Sequence, residues 1–159
     1  MAAGMREPTF LELIEQAAAV TPGQARVAAR ATLCTLAERI GRGEALDLAP
    51  FIPGEFRDLL LSAPEHPEWL GVAQFVHRVA ERQGVPGTTA LRHVRAVLAA
   101  IVQFASLDAL SNLAEVLGND FEPMLDVARN RRDPTLVRDP RGVGAGQAEA
   151  VDGPKMRRT

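Results

Sequence analysis

Apolar residues recur at three- and four-residue spacing along most of the chain, so the sequence reads as a run of amphipathic helices. Thr9 followed by Glu12 has capping-box spacing, and Phe10, Leu13, Ile14 and Ala17 give the first helix one apolar face. Thr21 then caps a second helix, with Pro22 at its first position and Gln24 as box partner. Ala25, Ala28, Ala29, Thr32, Leu33, Leu36 and Ile40 form its inward stripe, and Gly41 is placed to stop it. Residues 44–49 predict a short third helix ended by Pro50, and residues 53–60 a fourth that turns Phe56, Leu59 and Leu60 inward. The same order then returns as helices over 71–83, 88–104, 107–114 and 119–129, with Ser106 as a cap. The helix over 88–104 is the most apolar and is expected at the centre.

The return has a fixed offset. Sliding the chain by 65 positions pairs residues 10–60 with 75–125 without a gap, and ten of the 51 pairs are identical, where chance would give about three or four. Among them are Phe10 with Phe75, Arg30 with Arg95, Leu33 with Leu98, and Phe56 with Phe121. Most of the kept positions are apolar, so each half is expected to be one helical unit that seals its face against the other. The predicted fold is all-α: two tandem four-helix repeats packed around one shared core and a pseudo-two-fold axis. Repeat one covers 9–60, a linker 61–71, and repeat two 72–129. Residues 1–8 are expected to be flexible, and 130–159, rich in Gly, Pro, Arg and Asp, to form a disordered basic tail.

Composition supports helix over sheet: 26 Ala, no Tyr, and seven aromatics in 159 residues. One cysteine rules out an internal disulfide framework and a Cys-rich zinc site, which fits a reducing cytoplasm. No apolar run approaches the roughly 20 residues of a bilayer span, and no secretory leader is legible, so no membrane partner is expected. Charge is uneven: residues 1–126 carry a net −6 and residues 127–159 a net +4. An acidic body repels nucleic acid, so such a partner is expected only through the tail.

The segments ARATLCTLAERIGRGEALDLAPFIPGEFRDLL (29–60), FVHRVAERQGV (75–85) and HVRAVLAAI (93–101) resemble the domain of unknown function 2267 family. The resemblance covers about residues 9–126 and rests on the order of a long helix, Gly41-x-Gly43-Glu44, Asp47-Leu48, and a final helix led by Pro53, followed by a second related copy. It implies a small, all-helical, cytoplasmic bacterial protein of duplicated architecture, and it implies no activity. The second copy departs from the pattern, with Ser106, Asp108, Ala109 and Gly118 where the first has Gly41, Gly43, Glu44 and Pro53.

Chemistry is sparse. Cys34, flanked by helix-core positions and matched by Ala99, reads as a small hydrophobe. His66, His77 and His93 lack the i, i+4 His pairing of helical metal sites, although His77 and Glu81 share a face. GVGAG at 142–146 lacks the strand and glycine spacing of a phosphate loop. Trp69 is expected to plug the seam between the halves. Arg30 and Arg95 are the only charged residues kept at equivalent positions; each is expected to tie helices together through carbonyls or an acid such as Glu55 or Asp120, or else to contact an anion or partner. Arg78, Arg82 and Arg92 add charge near Arg95, interrupted by Glu81. No catalytic residue, metal ligand or cofactor site is expected. The function expected is a non-enzymatic helical protein-interaction module, whose partner could be a second copy of the chain. The alternative is a binding module for an anionic small molecule or nucleic acid using Arg30, Arg95 and the basic tail.

Overall fold

The computed structural model describes residues 8–132. They form seven helices: α1 (Phe10–Ala18), α2 (Pro22–Leu48), α3 (Gly54–Leu61), α4 (Val72–Gln83), α5 (Gly87–Phe104), α6 (Leu107–Leu117) and α7 (Glu122–Asn130). Short 3-10 turns at Ala49–Phe51 and Asn119–Phe121 lead into α3 and α7, and no strand occurs among the described residues. Regular helix runs to Asn130; residues 1–7 and the tail from 133, including GVGAG, fall outside the described residues.

Both predicted capping boxes form. The Glu12 amide donates to Thr9 Oγ1 at 3.1 Å while the Thr9 amide donates to Glu12 Oε1 at 2.9 Å, and Thr21 with Gln24 repeats this at 3.1 and 3.0 Å. Ser106 Oγ accepts from the Ala109 amide at 3.1 Å. Each contact satisfies an amide that the first helical turn leaves without an intrahelical acceptor.

Gly41 breaks the helix where expected. Its φ of 81° and ψ of 177° turn the chain sharply and helix resumes at once, so α2 has two limbs, and the distal one, residues 42–48, is the predicted third helix, starting earlier than residue 44. Gly118 makes a similar corner after α6, with φ 83° and ψ −176°. This combination of angles is essentially restricted to glycine.

α2 and α5 together form the centre, a correction to the expectation of one central helix. α1 and α4 each pack against both of them, α3 packs on α2, α7 on α5, and α6 on α2. The predicted stripe of α2 is buried in full, and the same holds for Val94, Val97, Leu98, Ile101, Val102 and Phe104 of α5. On α1 the buried positions are Phe10, Ile14 and Ala18; Ala17, expected inside, is exposed because the inward face follows a four-residue row. The rings of Phe10 and Phe56 sit 6.3 Å apart, and those of Phe75 and Phe121 5.4 Å apart, nearly perpendicular. The four rings belong to one continuous apolar core.

Candidate functional site

The residues between α3 and α4 are not a loose linker. Arg42 Nη2 reaches the Ala63 carbonyl at 3.4 Å, and the Glu68 amide donates to the Glu38 carbonyl at 2.8 Å, so residues 62–71 form a strap laid along α2. At Gly41 a Cβ would come within 3.0 Å of Pro67, so glycine also lets strap and helix meet closely.

The strap ends on Arg39, which is only 2% exposed. Its Nε donates to the Leu70 carbonyl at 2.8 Å and its Nη2 to the Leu117 carbonyl at 2.9 Å. A buried guanidinium is tolerable only when such acceptors replace lost hydration, and the Leu117 oxygen, at the end of α6, lacks an intrahelical donor. Burial pulls the Arg39 guanidinium below its ordinary pKa, and the negative charge of Asp120 acts in the opposite direction. Arg39 stays cationic, since arginine does not deprotonate in proteins.

Above this group lies Trp69. The Arg39 Cζ is 4.4 Å from the centre of the indole and 5.8 Å from the Phe121 ring, within cation–π range. The expectation that Trp69 plugs the seam is corrected: Trp69 is 69% exposed and covers Arg39 from outside. The strap passes over the helices instead of between them, and Leu70, next in sequence, is the residue that goes inside at 4% exposure. Gly118 lies beneath the indole edge, 3.9 Å from Cη2 to a Cβ built there.

Beside the strap, Arg78 forks onto Glu68 with two contacts of 2.8 Å and reaches Glu38 at 3.0 Å, while Arg82 bonds Glu38 at 2.6 Å and Thr35 Oγ1 at 2.7 Å. Burial would raise the Glu38 carboxyl, but hydrogen bonds from Arg82 and Arg78 leave it below the usual carboxylate range. The Arg78 bond lowers Glu68, and the paired carboxylates raise Arg78. These arginines are thus occupied in joining α4 to α2 and the strap.

Arg30 and Arg95 are both exposed, on α2 and α5. Arg26 binds Glu55 instead of Arg30, through Nε at 2.9 Å and Nη2 at 3.2 Å, and Arg30 contributes only a longer-range attraction. Asp120 acts on Arg39. The helix-tying role expected of the repeated arginines therefore belongs to Arg26, Arg39, Arg78 and Arg82. Arg39 was missed because its repeat counterpart is Phe104, and sequence alone gave no cue beyond an arginine within an apolar stretch.

His77 and Glu81 meet at 3.3 Å on the surface. His93 is 5% exposed; its Nδ1 lies 2.8 Å from Gln83 Oε1, an acceptor, which puts the ring proton on Nδ1. Neither His93 Nε2 nor Gln83 Nε2 has a hydrogen-bond partner among the described residues. Cys34 is a half-buried free thiol. The described residues contain no group of three or more potential metal-ligating side chains, and no helix among them is long and apolar enough to cross a membrane.

The fold and the strap define an all-helical domain closed on two central helices. A family model described as "Uncharacterized conserved protein (DUF2267)" matches residues 7–124, and the chain belongs to that family. No curated protein and no solved structure matches it.

Proposed function

We propose that the chain is a non-enzymatic protein-interaction module, built by tandem duplication of a helical unit and presenting Trp69 to a protein partner. Duplication is supported by the two phenylalanine pairs, which are related by the 65-residue offset at both members. The exchanged packing supports it as well: α1 and α4, at equivalent places in the two halves, each rest on both central helices. The bacterial, cytoplasmic setting that the resemblance implies fits this reading.

The observation that carries the interaction role is a large aromatic held out in water on a fixed base. Tryptophan is enriched among residues that dominate binding energy, and an anchor whose orientation is already set loses little freedom on binding. Trp69 meets both conditions, with its inner face on Arg39 and the backbone on either side of it tied down. Crosslinking in cells of the wild-type chain and of Trp69→Ala tests it. At least one captured protein should fall about tenfold in the variant while far-UV circular dichroism stays unchanged; identical capture would overturn the role. Turnover of a small-molecule panel above buffer by the purified chain would contradict its non-enzymatic part.

A second reading, binding of an anionic small molecule or nucleic acid, is favoured by one feature: Arg95 is exposed and has no ion pair or hydrogen bond among the described residues. Binding of phosphate-bearing probes that weakens with salt and is lost in Arg30→Ala/Arg95→Ala would support it.

A further inference from the structure

Resting on the role of Trp69 as a contact surface, we infer that this surface is regulated: Arg78 is the catch that keeps the strap closed, and charge screening at that catch turns Trp69 from a fixed anchor into a loose one. The strap is held unequally along its length. Its ends are anchored by burial, with Ala63 1% and Leu70 4% exposed, and the Leu70 carbonyl is also bound by Arg39. Between these points residues 64–69 are all exposed. Among the described residues, one backbone hydrogen bond ties that stretch to a helix, from the Glu68 amide to the Glu38 carbonyl at 2.8 Å. Its side-chain hydrogen bonds are the two that Arg78 makes to Glu68. Apart from these, the stretch is held by Pro67 seated on Gly41 and by the indole lying on Arg39.

Glu38 serves the strap twice. Its carbonyl takes the Glu68 amide directly, and its carboxylate holds Arg78 at 3.0 Å in position to fork onto Glu68. Arg82 shares that carboxylate and is fixed in turn on Thr35 Oγ1. The fork is open to solvent, with the Arg78 side chain 31% and the Glu68 side chain 50% exposed, so dissolved salt weakens it. Arg39, at 2% exposure, is shielded from the same screening. Salt therefore acts on the middle of the strap and spares its ends and the helices beneath. A rigid anchor loses little freedom on binding, whereas a loose one must first be ordered, so the strength of any contact made by Trp69 follows the state of Arg78. A neutral indole thereby acquires salt-sensitive binding.

Amide hydrogen exchange in the full-length protein reads the strap directly, because the amide of residue 68 is bonded to Glu38 only while the strap is closed. At low salt, Arg78→Ala and Glu68→Ala should each lower protection at residue 68 about fivefold, while the amides of α2 and α5 keep their wild-type protection. The double variant should match Arg78→Ala, since Arg78 acts on the strap through Glu68. Molar sodium chloride should bring wild type to the level of the variants and leave the variants unchanged. The fluorescence anisotropy of Trp69, the sole tryptophan, should fall in parallel at constant far-UV circular dichroism. Unaltered protection at residue 68 in Arg78→Ala would overturn the inference. So would additive losses in the double variant, or an equal loss across α2 and α5, which would make Arg78 a general support of the fold. The contact role fails separately, by unchanged capture in Trp69→Ala, an outcome that leaves the exchange result intact.

Discussion

Phe75 meets Phe121 edge-on at 5.4 Å, joining the first turns of α4 to the turn that opens α7. Phe10 and Phe56, each 65 positions earlier in the chain, lie at 6.3 Å and a 45° tilt. Edge-to-face pairs contribute about 0.5–1.5 kcal/mol beyond area burial. A double-mutant cycle with leucine at both members should therefore give a larger coupling energy for Phe75 and Phe121 than for Phe10 and Phe56. Chemical denaturation of the seven proteins that make up the two cycles, sharing one wild type, measures this, and equal or reversed couplings would remove the distinction.

Arg39 bonds two carbonyls that belong to different segments, Leu70 in the strap and Leu117 at the end of α6. Arg39→Met keeps most of the apolar stem and strands both oxygens, each at a cost of about 1–3 kcal/mol. Urea denaturation should show a loss within that combined range, and the Trp69 emission should change in the folded protein because its stacking base is gone. A variant as stable as wild type with an unaltered spectrum would mean that the strap is held by other contacts.

Gly41 and Gly118 have nearly the same backbone angles but different surroundings. Alanine at either is strained by about 1–3 kcal/mol. At Gly41 the added methyl also meets Pro67 at 3.0 Å, whereas at Gly118 it finds Trp69 Cη2 at an ordinary 3.9 Å. Thermal melts should rank Gly41→Ala below Gly118→Ala, and hydrogen exchange should rise at the Glu68 amide in Gly41→Ala first.

The contrast between these glycines marks how far the sequence was legible. Helix positions, both capping boxes and the apolar stripes followed from local spacing, because caps and faces depend on residues within one or two turns. Gly41 was recognised as a break with helix resuming by residue 44, but the close approach of Pro67 to it is a long-range contact that local spacing does not show. Arg39 was hidden for the same reason: its acceptors lie 31 and 78 residues away. Arg30 and Arg95 stood out because they repeat, yet a residue that holds a strap present once per chain has no reason to repeat.

Burial holds the His93 imidazole below its ordinary pKa, and the charge of Arg92 lowers it further. A histidine harder to protonate when folded means that the unfolded chain binds more protons, so stability falls as pH drops below about 6.5, the unfolded value, and levels off below the folded one. His93→Asn, which keeps a donor near the Nδ1 position, should lose this dependence. Urea midpoints at pH 7.5 and pH 5.5 test it: wild type should weaken on acidification more than the variant, and parallel shifts would place the titration elsewhere.

The central claim is that α1 and α4, each shared between α2 and α5, close both halves around a single interior. Far-UV circular dichroism reports all helices, whereas Trp69 fluorescence reports the strap alone. Followed together through urea denaturation, the two signals should coincide in one transition, and Leu33→Ala and Leu98→Ala, both buried, should each move it by about 2–5 kcal/mol with the signals still superimposed. Two separated transitions in the circular dichroism itself, with Leu33→Ala moving one and Leu98→Ala the other, would show that the halves fold as independent units.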